Sequence, residues 1–147
     1  MTHPLPPAGT LDIVIFGGAG DLSFRKLLPA LYMAHLHDKL DASARIIAVG
    51  RQEWTQQAYL EFIDQNSPAF IEQDAFTADD WQHFLNRLVY VSMDVTNAHD
   101  FAKLKDLCHT PALRVYYLAT APSLFTQICA HLSGAGLVDA QSRVVLE

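Results

Sequence analysis

Five short apolar runs punctuate the chain: LDIVIF (11–16), RIIAVG (45–50), LVYVS (88–92), RVYYLA (114–119) and RVVLE (143–147). Each is nearly continuous in apolar character and rich in β-branched side chains. That pattern suits strands buried on both faces of a parallel sheet. Helix-like stretches lie between them. Phe24, Leu27, Leu28, Leu31 and His35 share one helical face, and 54–65 and 77–87 are amphipathic. Thr77 with Asp80 has the spacing of an N-terminal cap with a first-turn carboxylate. Further helices are predicted over 97–109 and 122–133. Pro122 opens the second of these, where a missing N–H does no harm, and Gly134 or Gly136 closes it. Pro29 is the exception, because it falls inside the first helix and is expected to kink or interrupt it. Strand–helix alternation of this kind predicts βαβ units and a parallel α/β sheet.

A chain of 147 residues, half of them hydrophobic, suits one domain with a real core. Residues 1–10 are Pro-rich and read as a flexible arm, leaving 11–147 as the domain. The formal charge is −6 with no basic run, which argues against nucleic acid as the main partner and leaves room for a local basic site for one small phosphate ligand. Cys108 and Cys129 match no zinc or redox spacing and read as buried thiols in a reducing compartment. The N-terminus has no secretory pattern. No apolar run approaches the ~18 residues needed to cross a bilayer, so a cytoplasmic protein without a membrane partner is expected.

Candidate chemistry concentrates after the first strand, in DIVIFGGAGDLSFRKLLPALY (12–32). Gly17 and Gly20 are three apart, and Asp21 and Leu22 follow. The dinucleotide fingerprint G-x-G-x-x-G is not met, since Ser23 stands where its third glycine would fall. Its physical requirements are met all the same. Small residues let backbone approach a pyrophosphate, and N–H groups at a helix start face the anion. Asp21 is expected to turn its oxygens toward backbone N–H groups. A glycine turn serving tight geometry alone is the competing explanation. A G-x-x-x-x-G-K-[ST] loop is absent, and no tyrosine has a lysine four residues later, which disfavours a short-chain reductase.

The second strand ends in Arg51, Gln52 and Glu53. An acid near this point selects the ribose 2′-hydroxyl of NAD, whereas an arginine accommodates the 2′-phosphate of NADP. Arg51 can grip such a phosphate with a planar fork of donors, which favours NADP. A solvated Arg51 paired with Glu53 is the alternative. Tyr90 and Asp94 lie at the carboxyl end of the third strand, where ligands bind in open α/β sheets. Packing would equally account for Tyr90. His35 and His37 diverge on a helix, and no metal site is expected.

These residues resemble one family. FGGAGDLSFRKLLPALY, VGRQ, YYLATAPSLF and the closing RVVLE occur in the order seen in glucose-6-phosphate dehydrogenases, whose coenzyme loop reads G-x-x-G-D-L. The family often carries a proline where Pro29 stands. The resemblance implies a Rossmann-like, doubly wound parallel sheet of about five strands, incomplete at its C-terminus. Gly17, Gly18, Ala19, Gly20, Asp21 and Leu22 would form the pyrophosphate turn. Arg51, with Gln52, would hold the 2′-phosphate, and Tyr90 would lie beside adenine or ribose. Ala119, Thr120 and Pro122 would flank the nicotinamide. Lys26 matches a lysine near the substrate phosphate, and Glu147 matches the Glu of a Glu-Lys-Pro motif.

The implied reaction is oxidation of glucose 6-phosphate by NADP to the 6-phosphoglucono lactone, in the pentose phosphate pathway. The family's catalytic His and its Asp partner have no counterpart here, so this chain alone is expected to be inactive. The parent is expected to be a homo-oligomer, and this portion a monomer. A stand-alone, non-catalytic nucleotide-binding or interaction module is the rival expectation.

Overall fold

The computed structural model describes residues 11–108 and 112–146. Five strands form one sheet: β1 (Leu11–Phe16), β2 (Arg45–Gly50), β3 (Leu88–Ser92), β4 (Leu113–Leu118) and β5 (Ser142–Leu146). All neighbours are parallel and the order is β3-β2-β1-β4-β5. The helices are α1 (Leu28–Leu36), α2 (Gln56–Asn66), α3 (Ala78–Leu85), α4 (Phe101–Leu107) and α5 (Phe125–Gly134). The strand order reverses direction between β1 and β4, as in a doubly wound sheet. The predicted arm at 1–10 lies outside the described residues.

Period-two alternation divides the core between the two sheet faces. Ile15, Ile46, Ala48 and Tyr90 point to one side, against Leu28, Tyr32, Tyr59, Ile63, Trp81 and Phe84 of α1–α3. Val14, Phe16, Ile47, Val49 and Val91 point to the other, against Phe101, Leu104, Ile128 and Leu132 of α4 and α5. Thr77 caps α3 as its spacing predicts: its Oγ1 accepts from the Asp80 N–H at 3.2 Å and donates to the Asp80 carboxylate at 2.8 Å. Both later helices open with a 3₁₀ turn, Ala98–Asp100 and Pro122–Leu124.

Pro29 interrupts the regular α-helix, as expected, and the interruption takes the form of a wider turn. The chain makes a π-helical turn over Ser23–Leu27, and α1 starts at Leu28 with Pro29 in its first turn. In this wider winding the Leu28 N–H donates to Ser23 O, five residues back. The same pattern would give Phe24 O the N–H of residue 29, which a proline lacks. The Ser67 hydroxyl, from the far end of α2, donates to Phe24 O at 2.9 Å instead. Ser67 is fully buried, so the missing donor is replaced from within the core.

The amino ends of the strands are locked by charge. Asp12 on β1 stands in register with Arg45 on β2 and Arg114 on β4. Its two oxygens accept from Arg45 Nε at 3.0 Å and Arg114 Nε at 3.1 Å. The same guanidinium groups donate to Leu107 O and Cys108 O, both at 2.8 Å. They thereby cap the carbonyls that the end of α4 leaves open. The outer edge of β3 is closed by a side chain: the Gln56 amide donates to Leu88 O at 2.7 Å and accepts from Tyr90 N at 2.8 Å. β5 departs from the expected burial on both faces. It is an edge strand among the described residues, and Val144, Val145 and Leu146 are exposed.

Two substitutions test these locks by urea denaturation. Asp12→Ala deprives the buried Arg114 of its carboxylate and is expected to cost about 3–5 kcal/mol. Ser67→Ala leaves Phe24 O without a donor and is expected to cost about 1–3 kcal/mol. Unchanged midpoints would refute either assignment.

Candidate functional site

A cavity of about 500 Å³ opens at the carboxyl ends of the strands, where the strand order reverses. Four loops line it. Gly17, Ala19 and Gly20 follow β1, Gly50–Gln52 close β2, Met93–Thr96 follow β3, and Thr120, Ala121 and Leu124 follow β4.

The glycine turn is built by close approaches. The N–H groups of Gly17 and Gly18 both donate to Val49 O, at 3.0 and 2.9 Å. That geometry needs a positive φ of 86° at Gly17, which favours glycine. A Cβ on Gly17 would sit 2.8 Å from Ala119 O, and one on Gly18 would sit 2.5 Å from the Ala48 Cβ. The turn closes through Gly20 N–H to Gly17 O at 3.0 Å, and the Ser23 hydroxyl donates to the same oxygen at 2.8 Å. The glycine N–H groups are thus spent on the fold. Among the described residues, the N–H groups of Ala19, Asp21 and Leu22 have no backbone acceptor. They are the donors available to an anion at this helix start. The cradle therefore fits a dinucleotide: bare backbone where side chains would collide, with Ala19 in the lining and the N–H groups of Asp21 and Leu22 following at the helix start.

Asp21 differs from expectation. Its carboxylate is exposed and takes no backbone N–H among the described residues. Ser23, not Asp21, secures the turn, because its short hydroxyl reaches the Gly17 carbonyl from within the core.

At the other lobe, Arg51 is exposed and lines the cavity. Among the described residues it forms no ion pair with Glu53; the ion pairs found there both involve Asp12. Arg51 is the basic residue of the lining, and Asp94 is the acidic one. The Asp94 Oδ1 accepts from Thr96 N at 2.9 Å and Thr96 Oγ1 at 2.6 Å. Those bonds hold its carboxyl below the usual carboxylate range.

The structure gathers Gly17, Ala19, Gly20, Arg51, Gln52 and Thr120 around one cavity. Gly18 is buried beneath it, and Leu22 is half-buried behind the turn. Ala119 stands against Gly17 and donates its N–H to Phe16 O at 2.9 Å. Pro122 and Lys26 are exposed and outside the lining. Tyr90 is also outside it, facing the α1–α3 side of the core, with its hydroxyl on Gln52 O at 2.6 Å. Glu147 lies outside the described residues. Sequence reasoning missed Val49, Gly50, Met93, Val95, Thr96, Ala121 and Leu124. The rule that ligands sit beyond strand carboxyl ends, applied to β2, β3 and β4 as to β1, would have found them.

Residues 14–147 match the family model described as "Glucose-6-phosphate dehydrogenase, NAD binding domain". The chain belongs to this family. Among similar proteins of the family, a glucose-6-phosphate 1-dehydrogenase from Mycolicibacterium smegmatis is 41% identical over 100% of this chain and 31% of its own length. One from Zymomonas mobilis is 38% identical over 92% of the chain and 28% of its own. The crystal structure of glucose-6-phosphate 1-dehydrogenase from Mycobacterium avium superimposes with a TM-score of 0.85 at 29% identity. It covers 94% of this chain and 29% of that one. The chain thus spans a little under a third of the length of these family members. These comparisons favour the dehydrogenase family over a stand-alone module.

The glycine geometry yields a paired test. Gly17→Ala is expected to lower unfolding free energy by about 1–3 kcal/mol through the strained φ, and to weaken dinucleotide binding with it. Gly134→Ala, whose Cβ would meet nothing within 4 Å, is expected to be neutral or to stabilise by about 0.4–1 kcal/mol. Urea denaturation of both variants checks the contrast. Equal effects would refute it.

Proposed function

We propose that this chain is the NADP-binding portion of a glucose-6-phosphate dehydrogenase. The parent would oxidise glucose 6-phosphate to 6-phosphoglucono-1,5-lactone, as a cytoplasmic enzyme of the pentose phosphate pathway and a homo-oligomer. The observation that carries the NADP reading is Arg51. It lines the cavity from the end of β2 without a carboxylate partner among the described residues, where an acid would mark NAD.

In this reading the N–H groups of Ala19, Asp21 and Leu22 bind the pyrophosphate, and the guanidinium of Arg51 binds the 2′-phosphate. Ala119 and Thr120, with Pro122 opening the following turn, border the nicotinamide half, and Lys26 and Glu147 serve the substrate side. The nicotinamide supplies the hydride acceptor when bound. The chain's own contribution is to bind and orient. The hydroxyl proton of the sugar needs a base, and no residue of this chain is assigned that role.

Calorimetric titration of the chain with NADP and with NAD tests this. NADP is expected to bind more tightly. Arg51→Ala is expected to weaken NADP by about 10- to 150-fold, equivalent to about 1.5–3 kcal/mol, while NAD binding stays unchanged. Equal affinities in the wild type, or no loss in the variant, would overturn the assignment.

A further inference from the structure

Tyr59 on α2 and Tyr90 on β3 are stacked face to face beneath the site, with ring centroids 4.7 Å apart and planes 15° from parallel. Their hydroxyls diverge. Tyr59, fully buried, donates to Gly18 O at 2.9 Å. Tyr90 donates to Gln52 O at 2.6 Å. One ring pair therefore holds a carbonyl of the glycine turn and a carbonyl of the Arg51–Gln52 turn.

The Gln52 carbonyl is a pivot. It also accepts from the Trp54 N–H at 2.8 Å, and the Trp54 ring packs against Tyr90 at 6.1 Å. Tyr90 is itself fixed at its backbone by the Gln56 amide. The approach of its hydroxyl depends on Gly50, because a Cβ there would lie 2.7 Å from that oxygen. Burial raises the pKa of both hydroxyls, so both remain donors at neutral pH.

We infer that Tyr90 is a positioning residue for coenzyme selectivity, its hydroxyl fixing the turn that presents Arg51, while Tyr59 positions the pyrophosphate turn common to both coenzymes. This rests on the NADP reading above. The division follows from what each carbonyl belongs to. Gly18 lies in the turn that meets the pyrophosphate, which NAD and NADP share. Gln52 lies next to the guanidinium that only the 2′-phosphate engages.

The test is the ratio of NADP to NAD affinity in hydroxyl-deleting variants that keep the rings. Tyr90→Phe is expected to weaken NADP about three- to tenfold, the range of one lost hydrogen bond, and to leave NAD unchanged, so that the ratio falls. Tyr59→Phe is expected to weaken both coenzymes by the same factor and preserve the ratio. A merely structural Tyr90 would move both coenzymes together, and that result overturns the inference, as does no change. Should Tyr90→Phe fail to fold, Gly50→Ala made in a Gln52→Ala background and compared with Gln52→Ala alone decides, since its Cβ would meet the Tyr90 hydroxyl at 2.7 Å and its other close neighbour, the Gln52 amide at 2.8 Å, is then gone: a selective loss of NADP supports the inference, and an equal loss or none overturns it. A wild-type chain without NADP preference would instead overturn the NADP reading itself.

Discussion

Two successive N–H groups, those of Gly17 and Gly18, converge on the single carbonyl of Val49. Most of the site follows from that convergence. It demands the positive φ at Gly17 and forbids a Cβ at either glycine, because Ala119 and Ala48 already occupy the space. It ties the end of β1 to the end of β2, so the glycine turn cannot shift without β2. It also removes the glycine N–H groups from ligand chemistry and leaves those of Ala19, Asp21 and Leu22 at the helix start. The glycines of this loop shape the cradle, and its less conspicuous neighbours carry the donors.

The two ends of the sheet are held by different physics. At the amino ends, Asp12 bridges three strands and reaches the carbonyls closing α4 through two guanidinium groups. A buried charge cluster of this kind is costly to break, and it pins the register of β2, β1 and β4 together. At the carboxyl ends the chain is held by backbone carbonyls and two tyrosine hydroxyls, with no ion pair among the described residues. Arg51 and Asp94 are thereby left facing the cavity. Charges at one end are consumed by the fold, and charges at the other remain available to a ligand.

The strands were readable because their information is local. Near-continuous apolar runs placed β1, β2 and β3 at their observed bounds, and β4 and β5 one residue off. The cap at Thr77 was readable for the same reason, as were the glycine turn and Arg51, each fixed by its position after a strand. What escaped depends on partners distant in sequence. The π turn under Pro29 is satisfied by Ser67, 43 residues beyond Phe24. The direction of Tyr90 is set by Tyr59 and Gln52, and composition cannot distinguish a tyrosine beside a ligand from one bracing the loop below it. β5 carries the apolar pattern of a covered strand. Among the described residues nothing covers it, and Val144, Val145 and Leu146 are exposed, which a pattern read from composition alone cannot foresee.

In the proposed reading, selectivity and general coenzyme binding meet at the carboxyl end of β2, where Val49 anchors the glycine turn and Arg51 follows the strand. A cradle of backbone N–H groups cannot distinguish NADP from NAD, since both present the same pyrophosphate to it. Discrimination therefore falls to the side chain that follows the strand. Val49, which anchors the glycine turn, and Arg51 are separated only by Gly50. Gly50 has no side chain and so admits the Tyr90 hydroxyl beneath the turn. The distance between the pyrophosphate donors and the guanidinium is thus set by one short stretch of strand braced from below. A coenzyme whose 2′-phosphate and pyrophosphate are joined by a ribose of fixed span requires that kind of rigidity, and loops anchored to separate strands would supply it less well.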